Sequence, residues 1–213
     1  MMLNRASNDK PMHIQELWRY PVKSMAGERL DVAEIRKDGI VGDRVVQVVD
    51  AAGRVVTSRT KPVLLGYRAT LGADGEPLIN GRPWREVVVP VGKLVRYEGA
   101  DRFDVLPLLV ATDGAIAAFG HDGRRLRPNI VIGGVEGLAE RSWEGRQLRA
   151  GEVVIGIQDL RGRCIMTTFD PDTQEQNVDV LLKIRREFAG LLALNCSVIQ
   201  PGKLAVGDPV TLI

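Results

Sequence analysis

Cysteine and histidine are scarce in this chain. Its 213 residues include only Cys164, Cys196, His13 and His121. Two widely separated thiols make neither a disulfide framework nor a Cys-x-x-Cys metal site. Two histidines in unrelated stretches argue against a His-rich zinc or iron centre. No stretch approaches the roughly 20 consecutive apolar residues that a membrane helix needs. The opening run Met1 to Lys10 lacks the apolar segment of a secretory signal. Charge of one sign is also missing in excess. A formal net charge of +2 gives no reason to expect a nucleic-acid or membrane partner. The expectation is a cytoplasmic protein with a flexible leader over residues 1–11.

What is present suits a globular fold. Hydrophobic residues make up 45% and charged residues 26%, and the length supports one sizeable core or two small units. Glycine and proline punctuate many short apolar runs, which predicts a mainly β protein with a few short helices. Strand candidates are Leu30 to Ile35, Val45 to Val49, Arg54 to Ser58, Pro62 to Leu71, Val87 to Val89, Cys196 to Ile199 and Pro209 to Ile213. Asn80-Gly81 is a tight-turn signal. Thr112-Asp113 is placed to cap a short helix from Gly114 to Phe119. Val178 to Phe188 carries apolar residues near helical spacing with a charged opposite face. The polar stretch from Gly99 to Asp104 predicts a boundary between a portion over 12–104 and a second over 105–213.

Several motifs stand in a fixed order: Tyr20-Pro-Val-Lys-Ser24, Gly39-Ile-Val-Gly-Asp-Arg44, Thr57-x-Arg59, Arg127-Pro-Asn-Ile-Val-Ile132, Arg163-Cys-Ile-Met-Thr-Thr-Phe-Asp-Pro-Asp-Thr173 and Pro201-Gly-Lys-Leu-Ala-Val-Gly-Asp-Pro209. Together they resemble the MOSC family, the molybdenum-cofactor sulfurase C-terminal domains and their relatives, and within it the amidoxime-reducing branch. The resemblance implies a MOSC-type β-barrel core preceded by a smaller N-terminal barrel-like portion. It implies a molybdenum–molybdopterin cofactor (Moco) held by one protein cysteine. It also implies reduction of N-hydroxylated compounds or N-oxides. The segment between residues 66 and 108 is shorter than in larger relatives. No Cys-rich iron–sulfur domain is appended, so electrons are expected from a separate donor, a ferredoxin-, flavodoxin- or cytochrome b5-like protein with its reductase.

Cys164 is the expected metal ligand. A thiolate is the soft anionic ligand that suits molybdenum, and Arg161 and Arg163 flank it with the positive charge that favours a thiolate. Strict strand alternation would send Arg163 and Cys164 to opposite faces, whereas a loop would let the arginines share the site. An isolated cysteine is more often a small buried hydrophobe. That is the expectation for Cys196, which alternates with Val198 in a strand. The cofactor's phosphate calls for Arg, Lys and helix N-terminal N–H groups. On the motif matches, Lys23, Ser24, Arg44, Arg127, Asn129 and Arg163 are expected to bind the cofactor, with Thr112 and Asp113 at the start of the short helix. Asp170 is the expected acidic catalytic participant, although Asp-Pro-Asp also reads as a plain turn. Trp18, Tyr20, Trp84 and Trp143 are expected to be packing aromatics. Two other roles for Cys164 remain open, a persulfide carrier in cofactor maturation and a carrier of finished cofactor.

Overall fold

The computed structural model describes residues 11–213. The leader expected over 1–11 therefore lies outside the described residues except for Pro11. Seventeen strands and two α-helices follow in order. The first ten strands are β1 (His13–Arg19), β2 (Glu28–Leu30), β3 (Val32–Arg36), β4 (Gly39–Ile40), β5 (Val46–Val49), β6 (Val55–Val56), β7 (Ala69–Leu71), β8 (Pro77–Ile79), β9 (Arg82–Pro83) and β10 (Lys93–Arg96). Next come β11 (Leu108–Thr112), α1 (Asp113–Phe119), β12 (Ile130–Gly133), β13 (Gln147–Ala150), β14 (Val153–Gly162), α2 (Asp179–Phe188), β15 (Leu191–Gln200), β16 (Gly202–Ala205) and β17 (Val210–Leu212). The mainly β architecture with two short helices is the one that the punctuated apolar runs predict.

Eight strands form the principal sheet, in the order β17-β13-β14-β15-β11-β12-β1-β2. Its neighbours pair antiparallel except β11 with β12. The four residues of β12 are all buried, as expected for a central strand covered on both faces. Strand β1 buries Ile14 and Leu17, which are out of step with simple alternation. A register slip against β12 between Ile14 and Glu16 resolves this, because the extra residue turns both side chains to the core.

The sheets do not close into continuous barrels. The principal sheet curls until β1 meets the segment before β17, through one isolated bridge between His13 and Pro209 and the bond from Val210 N–H to the Met12 carbonyl at 2.8 Å. Three further sheets, β10-β5-β6, β16-β3-β4 and β7-β8-β9, complete the fold.

Core packing runs across residue 104. Ile14, Leu17, Ile35 and Ile40 pack in one cluster with Val110, Ile132, Ile155 and Leu194, so the first strands help build the C-terminal core. A second cluster joins Val22, Met25, Val46, Val48, Leu64 and Trp84. Two strand expectations need correction. Pro62–Gly66 is a 3-10 turn with Pro62 in its first turn, leaving only β7 extended. Val87 to Val89 is irregular, with Val88 89% exposed and only Val89 bridging to Gly92. Asn80 and Gly81 both take positive φ between β8 and β9, as a two-residue hairpin turn requires.

Candidate functional site

Cys164 sits where β14 ends. That strand carries register irregularities at three places, the last between Leu160 and Gly162. Such bulges re-aim side chains, and the strand stops at Gly162. Strict alternation therefore fails at this point, and Arg161, Arg163 and Cys164 line the same cleft. Cys164 is extended and half-buried. Its carbonyl accepts from the Thr167 N–H at 3.1 Å and the Thr167 hydroxyl at 2.9 Å, which anchors the following 3-10 turn Ile165–Thr168. Arg125 holds that turn from outside. It donates to the Thr168 carbonyl at 3.1 Å and pairs with Asp170 at 2.8 Å.

The cleft gathers side chains from distant parts of the chain. Lys23, Ser24, Arg44, Arg127, Asn129, Arg163 and Cys164, all expected from the sequence, line it together. Three of them, Ser24, Arg44 and Arg127, hold left-handed backbone at φ 72°, 54° and 57°. Non-glycine residues seldom occupy that region, and such outliers concentrate at sites where structure over-determines them. In each case the sharp turn carries the chain from one element to the next at the cleft wall.

Electrostatics set the character of the cleft. Arg127 is half-buried and donates to the Met25 carbonyl at 2.7 Å, with its guanidinium 4.3 Å from the centroid of the Tyr20 ring. Arg163 donates to the Leu126 carbonyl at 2.7 Å, while its Nε is buried with no hydrogen-bond partner. Neither arginine has a carboxylate partner in the described residues. Burial pulls both guanidinium groups down to about 10, so both stay charged at neutral pH. Burial also pushes the Tyr20 hydroxyl up to about 12, and this group donates to the Pro128 carbonyl at 3.0 Å. Tyr20 is thus a packing aromatic, as expected, and also the platform beneath Arg127.

Asp43, fully buried behind the cleft, accepts from the Tyr20 N–H at 2.7 Å, from the Asn129 side chain at 3.2 Å and from Arg44. Asn129 lines the cleft, yet its amide is committed to the scaffold. It donates to Asp43 and to the Trp18 carbonyl, and it accepts from the Leu109 N–H at 3.2 Å.

Three expected residues lie elsewhere. Thr112 is fully buried as the N-cap of α1, accepting from the Ala115 N–H at 3.1 Å. Asp113 accepts from the N–H groups of Gly114, Gly134 and Val135 at 2.8, 2.8 and 2.9 Å. Two of the first N–H groups of the helix, those of Gly114 and Ala115, are therefore taken by its own cap rather than offered to an anion. Asp170 closes its own turn, accepting from Asp172 and Thr173 N–H at 3.0 Å each, and pairs with Arg125. These three bonds account for a carboxylate whose role is to shape the Cys164 loop rather than to face the cleft.

Five polar members of the cleft stand outside the expected set of site residues: Thr57, Arg59, Asp104, Arg161 and Asn195. Thr57 and Arg59 belong to one of the ordered motifs, and Arg161 is an arginine that a loop at Cys164 would let share the site. Asp104 falls in the stretch read as a boundary, which also closes one wall of the cleft. Asn195 on β15 carried no local signal. It accepts from Arg161 at 3.3 Å and donates to Asp159 at 2.6 Å. Cys196, the next residue, is fully buried in the core, and burial raises its thiol far above the ordinary range.

The chain matches two family descriptions. The MOSC N-terminal beta barrel domain covers residues 12–92, and the MOSC domain covers residues 115–211. Mitochondrial amidoxime reducing component 2 of Rattus norvegicus is 33% identical over 92% of this chain and 82% of its own length. Mitochondrial amidoxime-reducing component 1 of Homo sapiens is 25% identical over 94% of this chain and 82% of its own. The crystal structure of the YUAD protein from Bacillus subtilis shares the fold, with a TM-score of 0.51 and 13% identity over 95% of this chain and 96% of that one. With both family domains in order along one chain, and relatives matched over most of their length, this protein belongs to the MOSC family.

Proposed function

We propose that the Cys164 cleft holds a molybdenum–pterin cofactor and that the protein reduces N-hydroxylated compounds. One observation carries the reading. A half-buried cysteine shares a cleft with two half-buried arginines that lack carboxylate partners, one of them with a buried, unpartnered Nε. Guanidinium groups held partly out of water without counter-ions are costly unless negative charge joins them, and a cofactor that is anionic at its dithiolene as well as at its phosphate brings that charge. Among the described residues no three His, Cys, Asp or Glu side chains converge as a metal cage. A metal at Cys164 therefore takes its remaining ligands from an organic cofactor, which is how a pterin dithiolene binds molybdenum.

When bound, the cofactor supplies two-electron oxygen-transfer chemistry. The chain supplies the rest. Cys164 gives the protein ligand, fixed by the Thr167 bonds to its carbonyl. Arg127 and Arg163 would offer positive charge to the anionic cofactor, with Arg127 kept in place by the Tyr20 ring. Leu106, Leu108, Leu109 and Leu126 supply apolar walls that limit water in the cleft. Reduction of an N–OH group consumes two electrons and two protons, breaks the N–O bond and releases water. In this reading the electrons come from a separate donor of ferredoxin, flavodoxin or cytochrome b5 type.

The test is metal and pterin analysis of protein made in a cofactor-producing host, followed by turnover of an aromatic amidoxime with an artificial reductant. Stoichiometric molybdenum and pterin with turnover are expected. A cyanide-labile sulfur on Cys164 without metal would replace this reading with a persulfide carrier.

A further inference from the structure

One carboxylate faces the cations of the cleft. Asp104 accepts from Lys23 Nζ at 3.1 Å, from Arg59 at 2.6 Å and lies 3.5 Å from Arg161. These partners come from three separate places: the turn after β1, the loop after β6 and the end of β14. Burial alone would raise the Asp104 carboxyl, but Lys23, Arg59 and Arg161 outweigh it and hold the group below the ordinary carboxylate range. No other carboxylate lines the cleft, whose remaining charged members are Arg44, Arg127 and Arg163.

The chain around Asp104 is held unevenly. Arg102 is buried and donates to the carbonyls of Glu98, Asp38 and Asp43 and to the Asp38 carboxylate at 2.7 Å, which anchors one end. Strand β11 anchors the other end from Leu108. Between them, no main-chain hydrogen bond involves residues 103–106 among the described residues. The ion pairs of Asp104 are therefore the main polar tie on this short connection.

We propose that Asp104 is an internal stand-in for a ligand phosphate, holding Lys23, Arg59 and Arg161 together until a phosphate monoester takes its place. A phosphate monoester brings about 1.5 to 2 negative charges and three acceptor oxygens, against one charge and two oxygens for Asp104. It also suits the forked donors of arginine. The two anions repel each other at one cation cluster, so ligand entry turns the Asp104 side chain outward and loosens residues 103–106. The cations are thus kept poised and paired in the ligand-free protein, and the connection opens only for a stronger anion. The proposal rests on the cofactor reading only for the identity of the molecule that carries the phosphate.

The experiment is calorimetric titration of the metal-free full chain with inorganic phosphate and pyrophosphate. Asp104→Asn is compared with Asp101→Asn, an exposed change in the same connection. Removing a like charge from the cluster is expected to tighten pyrophosphate binding by about tenfold or more, with Asp101→Asn matching the unaltered protein. Equal or weaker binding by Asp104→Asn, or no binding by either protein, overturns the proposal. Limited chymotrypsin digestion of the unaltered protein provides a check that needs no variant. Pyrophosphate should speed cleavage after Phe103, and unchanged or slower cleavage overturns the proposal. Neither measurement involves molybdenum. Protein that passes both yet retains no metal from a cofactor-producing host would reject the cofactor reading and leave the Asp104 exchange standing.

Discussion

The guanidinium of Arg127 lies 4.3 Å from the centroid of the Tyr20 ring, so a residue of the second family domain is seated on an aromatic of the first. The pairing fixes a half-buried cation at the cleft without neutralising it. Stacking on an aromatic face is worth about 0.5 to 2 kcal/mol and leaves the charge available to a ligand. Arg127→Ala is therefore expected to lower pterin retention in purified protein. Arg185→Ala, on the exposed face of α2, is not. Pterin released by denaturation and quantified by fluorescence gives the comparison, and equal content in the two variants would contradict the assignment.

Asp43 organises the wall behind Arg44. It is fully buried and joins the Tyr20 main chain, the Asn129 amide and Arg44. Removing it strands three donors at once. Asp43→Ala is expected to destabilise the protein by about 3 to 5 kcal/mol, the usual cost of breaking a buried charged network. Urea unfolding measures this, and a loss below about 1 kcal/mol would mean that the network adds little.

Asp104 predicts a pH effect on the ligand-free protein. Its folded value is depressed below the ordinary 3.8. A depressed carboxylate contributes stability above its unfolded value and loses it as pH falls through its folded value. The stability advantage of the unaltered protein over Asp104→Asn should thus be present near neutral pH and shrink below about pH 4. Because Asp104 is partly exposed, added salt should reduce the advantage too. Thermal melts of both proteins across pH test this, and a gap that widens on acidification would reverse the sign.

How much of the cleft was legible in the sequence depends on how each residue is held. Lys23, Ser24, Arg44, Arg127, Arg163 and Cys164 converge on one cleft, and at three of them, Ser24, Arg44 and Arg127, the motif coincides with a sharp turn of the chain. Thr112 and Asp113 misled for a physical reason. A helix N-terminus with polar residues reads the same whether its donors await a ligand or are already capped, and here the cap takes them. Asp104 and Asn195 left no local trace. Their partners lie far away in sequence: pairing of β14 with β15 sets Asn195 against Asp159, and Asp104 meets Lys23, Arg59 and Arg161 only in the folded chain. The same holds for the fold. Short apolar runs revealed most strands, but the bulge that lets Ile14 and Leu17 share one face depends on pairing with β12, which no local pattern reports.

The two cysteines give the most direct test of the central claim. Cys164 is half-buried at the cleft, whereas Cys196 is sealed in the core between β11 and β14. Cys164→Ala and Cys196→Ala, produced side by side in a host that makes the cofactor, should be analysed for molybdenum per chain. The Cys164 variant is expected to lose its molybdenum, while the Cys196 variant keeps it at some cost in stability from the small cavity left behind. Full molybdenum content in the Cys164 variant would contradict the account.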